Sequence, residues 1–266
     1  MNKTFLFIRS VLKKILEVIL GKDKYRDLRV NYIIKRFKSG NFYKKDIKFL
    51  SLFVKSGDVA VDIGANVGEH IFVLSKLVGP EGRVIGFEPE GEAFNILTKI
   101  IKKLSLENVE VYNIALGEEE TIKTIKTPTD QIGIPNLALS YITNKISAES
   151  RHENLVKMRT LDNLRRELPI LNKVKLINCD VEGYELMVFK GGKNLISYVR
   201  PVIFCEIEKN FTVRYNYYPQ DIFDFFYTLK YKAYAIKNEL ELVDKYDGLI
   251  DYYVFVPEKN ENSSSK

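Results

Sequence analysis

Cysteine and histidine are scarce in this chain of 266 residues, which holds two of each: Cys179 and Cys205, His70 and His152. Two cysteines, each inside an apolar run, cannot frame a disulfide-stapled secreted domain, so a reducing, cytoplasmic setting is expected. Neither has a partner at CxxC spacing, so no metal site is expected. The eight prolines and fifteen glycines are scattered, which excludes collagen-like or linker-like blocks. Only the polar end, residues 259–266, reads as a flexible tail. Hydrophobic residues make up 45% of the chain and charged ones 29%, enough to bury a core and stay soluble, and disorder is excluded.

Long uninterrupted apolar runs are also missing. The greasiest stretch, Phe5 to Leu20, carries Arg9, Lys13, Lys14 and Glu17, too many charges for a comfortable membrane span. No small-residue cleavage site follows it, so a signal peptide is a poor reading. At 100° per residue, Phe5, Ile8, Val11, Leu12, Ile15, Leu16, Val18 and Ile19 fall on one half of a helix. Arg9, Ser10, Lys13, Lys14 and Glu17 fall on the other. Two readings fit: a helix lying on an anionic membrane surface, or a helix packing its greasy face on the body or on a second copy in a homodimer. The membrane reading would bring residues 1–20 to the inner membrane surface.

Positive charge is concentrated at this end. Residues 1–50 hold 14 Lys and Arg against 4 Asp and Glu, leaving 27 against 31 for the rest, although the whole chain is only +6. Aromatics such as Tyr25, Tyr32, Phe37, Phe42 and Tyr43 are interleaved with these cations. That mixture suits a helical lid as well as a phosphate-rich partner.

From about Gly57 onward, short β-rich apolar runs alternate with helix-period segments, the signature of a parallel sheet covered by helices. Strands are expected at Val59–Ile63, Arg83–Phe87, Val109–Ile114, Val174–Asp180 and Val202–Ile207. Two more, Tyr231–Ile236 and Tyr252–Val256, are joined too closely for a crossover helix, so they should form an antiparallel hairpin. The stretch 121–158 lacks a strong helical period and reads as an insertion beside the site. The expected organisation is a basic helical extension over 1–45, one α/β domain over 46–258, and the tail.

The chemistry is carried by Asp62-Ile63-Gly64-Ala65-Asn66-Val67-Gly68-Glu69, at the junction of the first strand and first helix. The dinucleotide pattern G-x-G-x-x-G fails here, because its second and third positions hold Asn66 and Glu69. What remains is an acidic residue and two glycines that allow close backbone approach. Asp62 would attract an amine and repel a pyrophosphate, which favours an aminoacyl nucleoside. Glu88 ends the second strand, where such folds hold a ribose by its hydroxyls.

These residues resemble the FkbM-type methyltransferases that use S-adenosylmethionine, over roughly residues 45 to 257. Besides the glycine loop through His70, the matching signatures are Phe87-Glu88-Pro89, Asn113 to Gly117, Thr160-Leu161-Asp162, Asp180 to Glu185 with Lys190 to Gly192, and Pro201 through Glu206. The resemblance implies a Rossmann-like class I methyltransferase: a mostly parallel seven-stranded sheet, helices on both faces and an antiparallel C-terminal hairpin. It implies S-adenosyl-L-methionine as cofactor, near Asp62, Gly64, Asn66, Gly68, Glu88, Asn113, Ala115, Leu116 and Asp180. Asp180, Glu182 and Glu206 would converge where the methyl group departs, with Asp180 the leading candidate to orient or deprotonate the acceptor. Each also has a plainer reading, Glu182 and Glu185 as helix caps and Glu206 as an ion-pair partner. His70 beside the loop and His152 in the insertion could each meet ligand or merely pack.

The expected reaction is O-methylation of a small-molecule or glycan hydroxyl, in a sugar of a glycan or glycolipid or in a secondary metabolite. N-methylation of nucleic acid or protein is the alternative enzyme reading. The end of the fourth strand, Cys179-Asp180-Val181-Glu182-Gly183, lacks the Asn/Asp-Pro-Pro-Tyr/Phe motif that grips a planar amine, so nucleic acid is not the expected partner. A third reading is a non-catalytic binding module tethered to a membrane, against which the intact acidic and glycine positions argue.

Overall fold

The computed structural model of the chain describes residues 3–40, 48–130, 133–143 and 153–258. Phe42, Tyr43, His152 and the tail 259–266 lie outside the described residues, as do the side chains of Phe5, Ile8 and Arg9. Two helices come first, α1 (Lys3–Leu20) and α2 (Lys22–Ser39). Strand β1 (Val59–Ile63) follows, then α3 (Glu69–Val78), β2 (Arg83–Phe87), α4 (Gly91–Leu104) and β3 (Val109–Tyr112). β1 is buried at every position, as a central strand covered on both faces must be. α4 starts on Glu90, whose carboxylate accepts from the Ala93 amide at 2.7 Å, and it buries Ala93, Ile96, Leu97 and Ile100.

The stretch 121–158, which lacks a strong helical period, carries strands. Strands β4 (Ala115–Leu116), β5 (Thr121–Lys126), β6 (Tyr141–Thr143) and β7 (Glu153–Arg159) form a second sheet in the order β4-β7-β5-β6. Its Ile125, Ile142, Val156 and Met158 are buried in the main core, which supplies the driving force that a helical period did not reveal.

The chain then continues through α5 (Leu161–Glu167), β8 (Val174–Cys179), α6 (Glu185–Gly191), α7 (Lys193–Val199), β9 (Val202–Glu206), α8 (Lys209–Thr212) and α9 (Pro219–Thr228). It closes with β10 (Tyr231–Ile236), β11 (Leu240–Val243) and β12 (Tyr252–Pro257). The main sheet runs β11-β10-β12-β9-β8-β1-β2-β3. Strands β3, β2, β1, β8 and β9 are parallel, whereas β12 and β10 are antiparallel, as the short connection required. The seven expected strands are all present, and β11 adds an eighth by pairing with β10 in the polar turn region. Strand order reverses at β1, flanked by β2 and β8, and that reversal opens a crevice at the carboxyl ends.

The two N-terminal helices are seated differently. α2 buries Val30, Ile33 and Phe37, with the Phe37 ring stacked 5.0 Å from Phe72 of α3. Arg26 donates to both carboxylate oxygens of Glu92, at 2.9 and 2.7 Å, and Lys99 donates to Asp27 at 2.7 Å, tying α2 to α4. On α1 the packing reading fails as far as the body is concerned. Leu12, Ile15, Leu16, Val18 and Ile19 are all exposed, while the polar Ser10, Lys13 and Glu17 are the half-buried side. Among the described residues no helix is long and apolar enough to cross a membrane.

Candidate active site

The crevice is a cavity of about 400 Å³, within the range that holds a cofactor-sized ligand. Its floor is the loop between β1 and α3. Gly64 takes φ +83° there, and a Cβ on it would stand 1.8 Å from the Asp180 carbonyl oxygen, so only glycine lets this loop pass under β8. Asn66 follows at φ 47°, turning its backbone N–H toward Glu88 Oε2 at 2.6 Å. The other Glu88 oxygen accepts from the Glu90 amide at 2.7 Å. Both carboxylate oxygens keep lone pairs toward the cavity they line. Burial pushes Glu88 up to about 8 despite these two N–H donors.

Of the residues singled out from the sequence, Gly64, Asn66, Glu88, Ala115, Leu116, Asp180 and Glu182 line the cavity. Four others stand behind them. Asp62 is buried beneath the loop, where one oxygen accepts from Asn178 Nδ2 at 2.7 Å, and its burial raises its pKa. Gly68 sits at the N-terminus of α3 with φ 94°, and a Cβ there would reach 2.6 Å from Leu97 Cδ1, so it serves helix packing. Asn113 donates from Nδ2 to the Glu88 and Pro89 carbonyls at 2.8 and 3.1 Å, fixing the turn after β2. Glu206 faces Asp180 from β9 and hydrogen-bonds with it.

The acids cluster at one end. Asp180 is held well above the usual carboxylate range, first by burial and then by the facing Glu206 carboxyl. Burial, with Glu206 next, pushes Glu182 up to about 8. The plainer reading of Glu185 as a helix cap does not hold: its buried carboxylate accepts from the Val181 and Gly183 amides at 3.2 and 3.0 Å, in the loop before the helix, and so braces that loop. Nor does it hold for Glu182, which lies in the left-handed region at φ 56° and keeps a buried Oε2 without a hydrogen-bond partner. Cys179 and Cys205, cross-strand neighbours, are buried and free, turned from the acids by strand alternation.

Several lining residues escaped the sequence reading. Leu137, Ala138, Ser140, Tyr141 and Ile142 come from the second-sheet region and Tyr252 from the last strand, far from any glycine or acidic signal. The second sheet is latched over the cavity: Tyr215 Oη donates to the Ile142 carbonyl at 2.9 Å, and the Arg214 guanidinium lies 3.7 Å over the Tyr141 ring. His70 lines the wall with a buried Nε2 that has no hydrogen-bond partner.

These features fit an aminoacyl nucleoside. A cradle that only bare backbone can form lies beside a carboxylate with spare lone pairs, and Glu182 Oε2 and His70 Nε2 still want polar partners. Among the described residues there is no group of three or more His, Cys, Asp or Glu suited to a metal ion.

Comparison with known proteins agrees with the sequence signatures. The profile of the FkbM methyltransferase domain matches residues 62–234. Methyltransferase 1 of Beauveria bassiana is 24% identical over 142 residues, covering 49% of this chain and 57% of that protein. A protein-L-isoaspartate O-methyltransferase of Methanococcus aeolicus is 30% identical over 125 residues, covering 40% of this chain and 58% of that protein. The crystal structure of the FkbM methyltransferase of Methylobacillus flagellatus superposes with a TM-score of 0.47 at 16% identity, covering 82% of this chain and 47% of that one. The chain thus spans about half the length of each of these relatives. On the domain match, which takes in the glycine loop, Glu88 and the acidic cluster alike, this chain belongs to the FkbM family of S-adenosylmethionine-dependent methyltransferases.

Proposed function

We propose that this protein transfers a methyl group from S-adenosylmethionine to a hydroxyl of a neutral, polyhydroxylated acceptor, a sugar of a glycan or glycolipid being the best match. The observation that carries this reading is the acidic end of the cavity, where Asp180, Glu182 and Glu206 meet. The cation beside them, Arg214, spends its guanidinium on the Tyr141 ring. Such a wall of carboxyls suits hydroxyl groups, which exchange hydrogen bonds with them.

S-adenosylmethionine supplies, when bound, an electrophilic methyl group on a sulfonium. Glu88 would hold its ribose hydroxyls, and the Gly64–Asn66 backbone its amino-acid end, with Ala115 and Leu116 bordering the base. Asp180 would accept the hydrogen bond of the acceptor hydroxyl and take its proton as the oxygen gains the methyl. Glu206, facing Asp180, would raise the affinity of Asp180 for that proton. Glu182 would orient a neighbouring hydroxyl, and the Tyr141 and Tyr252 rings offer flat apolar surfaces to a sugar face. Catalysis of this kind is mostly positioning.

The test is Asp180→Asn, with donor affinity measured by calorimetry apart from turnover on hydroxylated acceptors. Donor affinity should stay within about threefold while turnover falls by roughly 10²-fold or more, the usual share of a general base. Unchanged turnover would remove Asp180 from the chemistry.

A further inference from the structure

We propose that the outward apolar row of α1 docks the protein on an anionic lipid surface. At helical spacing Leu12, Ile15, Leu16 and Ile19 form one stripe, and they are 54%, 46%, 44% and 71% exposed. The opposite side of the same helix, Ser10, Lys13 and Glu17, is the side turned toward the body. Lys13 and Glu17 line a cavity of about 390 Å³ shared with α2 and the second-sheet region. An amphipathic helix mounted with its polar side inward leaves its greasy stripe for something other than the core.

Charge selects the occupant. On α2 the exposed Lys24, Leu28, Tyr32 and Lys35 share one face, and Lys14 and Lys22 are exposed as well. Residues 1–50 carry ten more cations than anions, so two copies meeting through this segment would bring like charges together. An anionic bilayer complements it: the stripe enters the headgroup boundary and lysines meet the lipid phosphates. The second-copy reading of this face is thereby disfavoured on electrostatic grounds.

The experiment is cosedimentation with vesicles of phosphatidylglycerol mixed with phosphatidylcholine, and with phosphatidylcholine alone. The full chain should pellet with the anionic vesicles, weakly with the neutral ones, and less at high salt. Leu16→Glu combined with Ile19→Glu should lower partitioning at least about tenfold while leaving the thermal midpoint of the lipid-free protein unchanged, since both side chains stand in solvent. Lys14→Glu with Lys24→Glu should lower it through charge alone. Equal pelleting of the parent and both double variants would overturn the proposal. So would a lipid-free dimer that the apolar double variant dissolves.

Discussion

Helices α1 and α4 are written in the same language and end in opposite situations. Each carries an apolar stripe at helical spacing with charges on its other side, yet α4 buries Ala93, Ile96, Leu97 and Ile100 against the sheet, and α1 turns Leu12, Ile15, Leu16 and Ile19 outward. The stripe states that a helix has apolar surface to cover, and nothing in its period says what covers it. The difference comes from the surroundings. α4 is tethered at both ends by strands of one sheet, whereas α1 is joined to α2, which buries its own Val30, Ile33 and Phe37, the last stacked on Phe72 of α3.

Paired substitution breaks this comparison most sharply. Leu97→Ala should destabilise the protein by about 2–5 kcal/mol in urea unfolding, because it opens a cavity under the glycine loop. Leu16→Ala, measured without lipid, should stay within about 0.5 kcal/mol. Equal losses would mean that α1 packs on the body after all.

A second contrast lies between buried and exposed acids. Glu88 ionises near 4.5 when unfolded and near 8 when folded, so the folded state is the one that keeps its proton between these values. Its contribution to stability is complete below about pH 4.5 and is lost as pH rises toward 8, by at most about 1.4 kcal/mol per unit. Glu88→Gln should flatten that part of the decline, read as a smaller drop in urea midpoint between pH 5 and pH 8. An unaltered drop would assign the decline to Asp62, Glu90, Asp180, Glu182 and Glu185, the other acids that burial raises.

The smallest expected effect concerns the latch between the two sheets. Tyr215→Phe removes the donor to the Ile142 carbonyl and should cost about 1 kcal/mol, with faster amide exchange in β6 and unchanged exchange in β1. Uniform acceleration across both strands would show that the latch belongs to global stability rather than to this region.

Local rules made much of the site legible before folding. The β1–α3 glycine loop, Glu88 at the end of β2 and Asp180 at the end of β8 are strand-end positions, and strand ends follow from period and punctuation. Asp62, Gly68, Asn113 and Glu206 were found by the same signals but stand behind the cavity, because a pattern cannot distinguish a residue that touches ligand from one that shapes the loop. Tyr141, Ser140 and Tyr252 carried no signal. They reach the cavity through a second sheet whose strands pair across a long connection and through a last strand inserted beside β9.

The sequence alone therefore determined the alternating α/β body, its antiparallel close and the glycine and acidic positions at the strand ends, since these depend on period, turn residues and covalent order. Tertiary structure alone decided the eighth strand, the second sheet, the facing of Asp180 and Glu206, and which way α1 faces. Each of those depends on which distant surface is free to be covered or which distant charge comes near, and residues far apart in the chain acquire such neighbours only on folding.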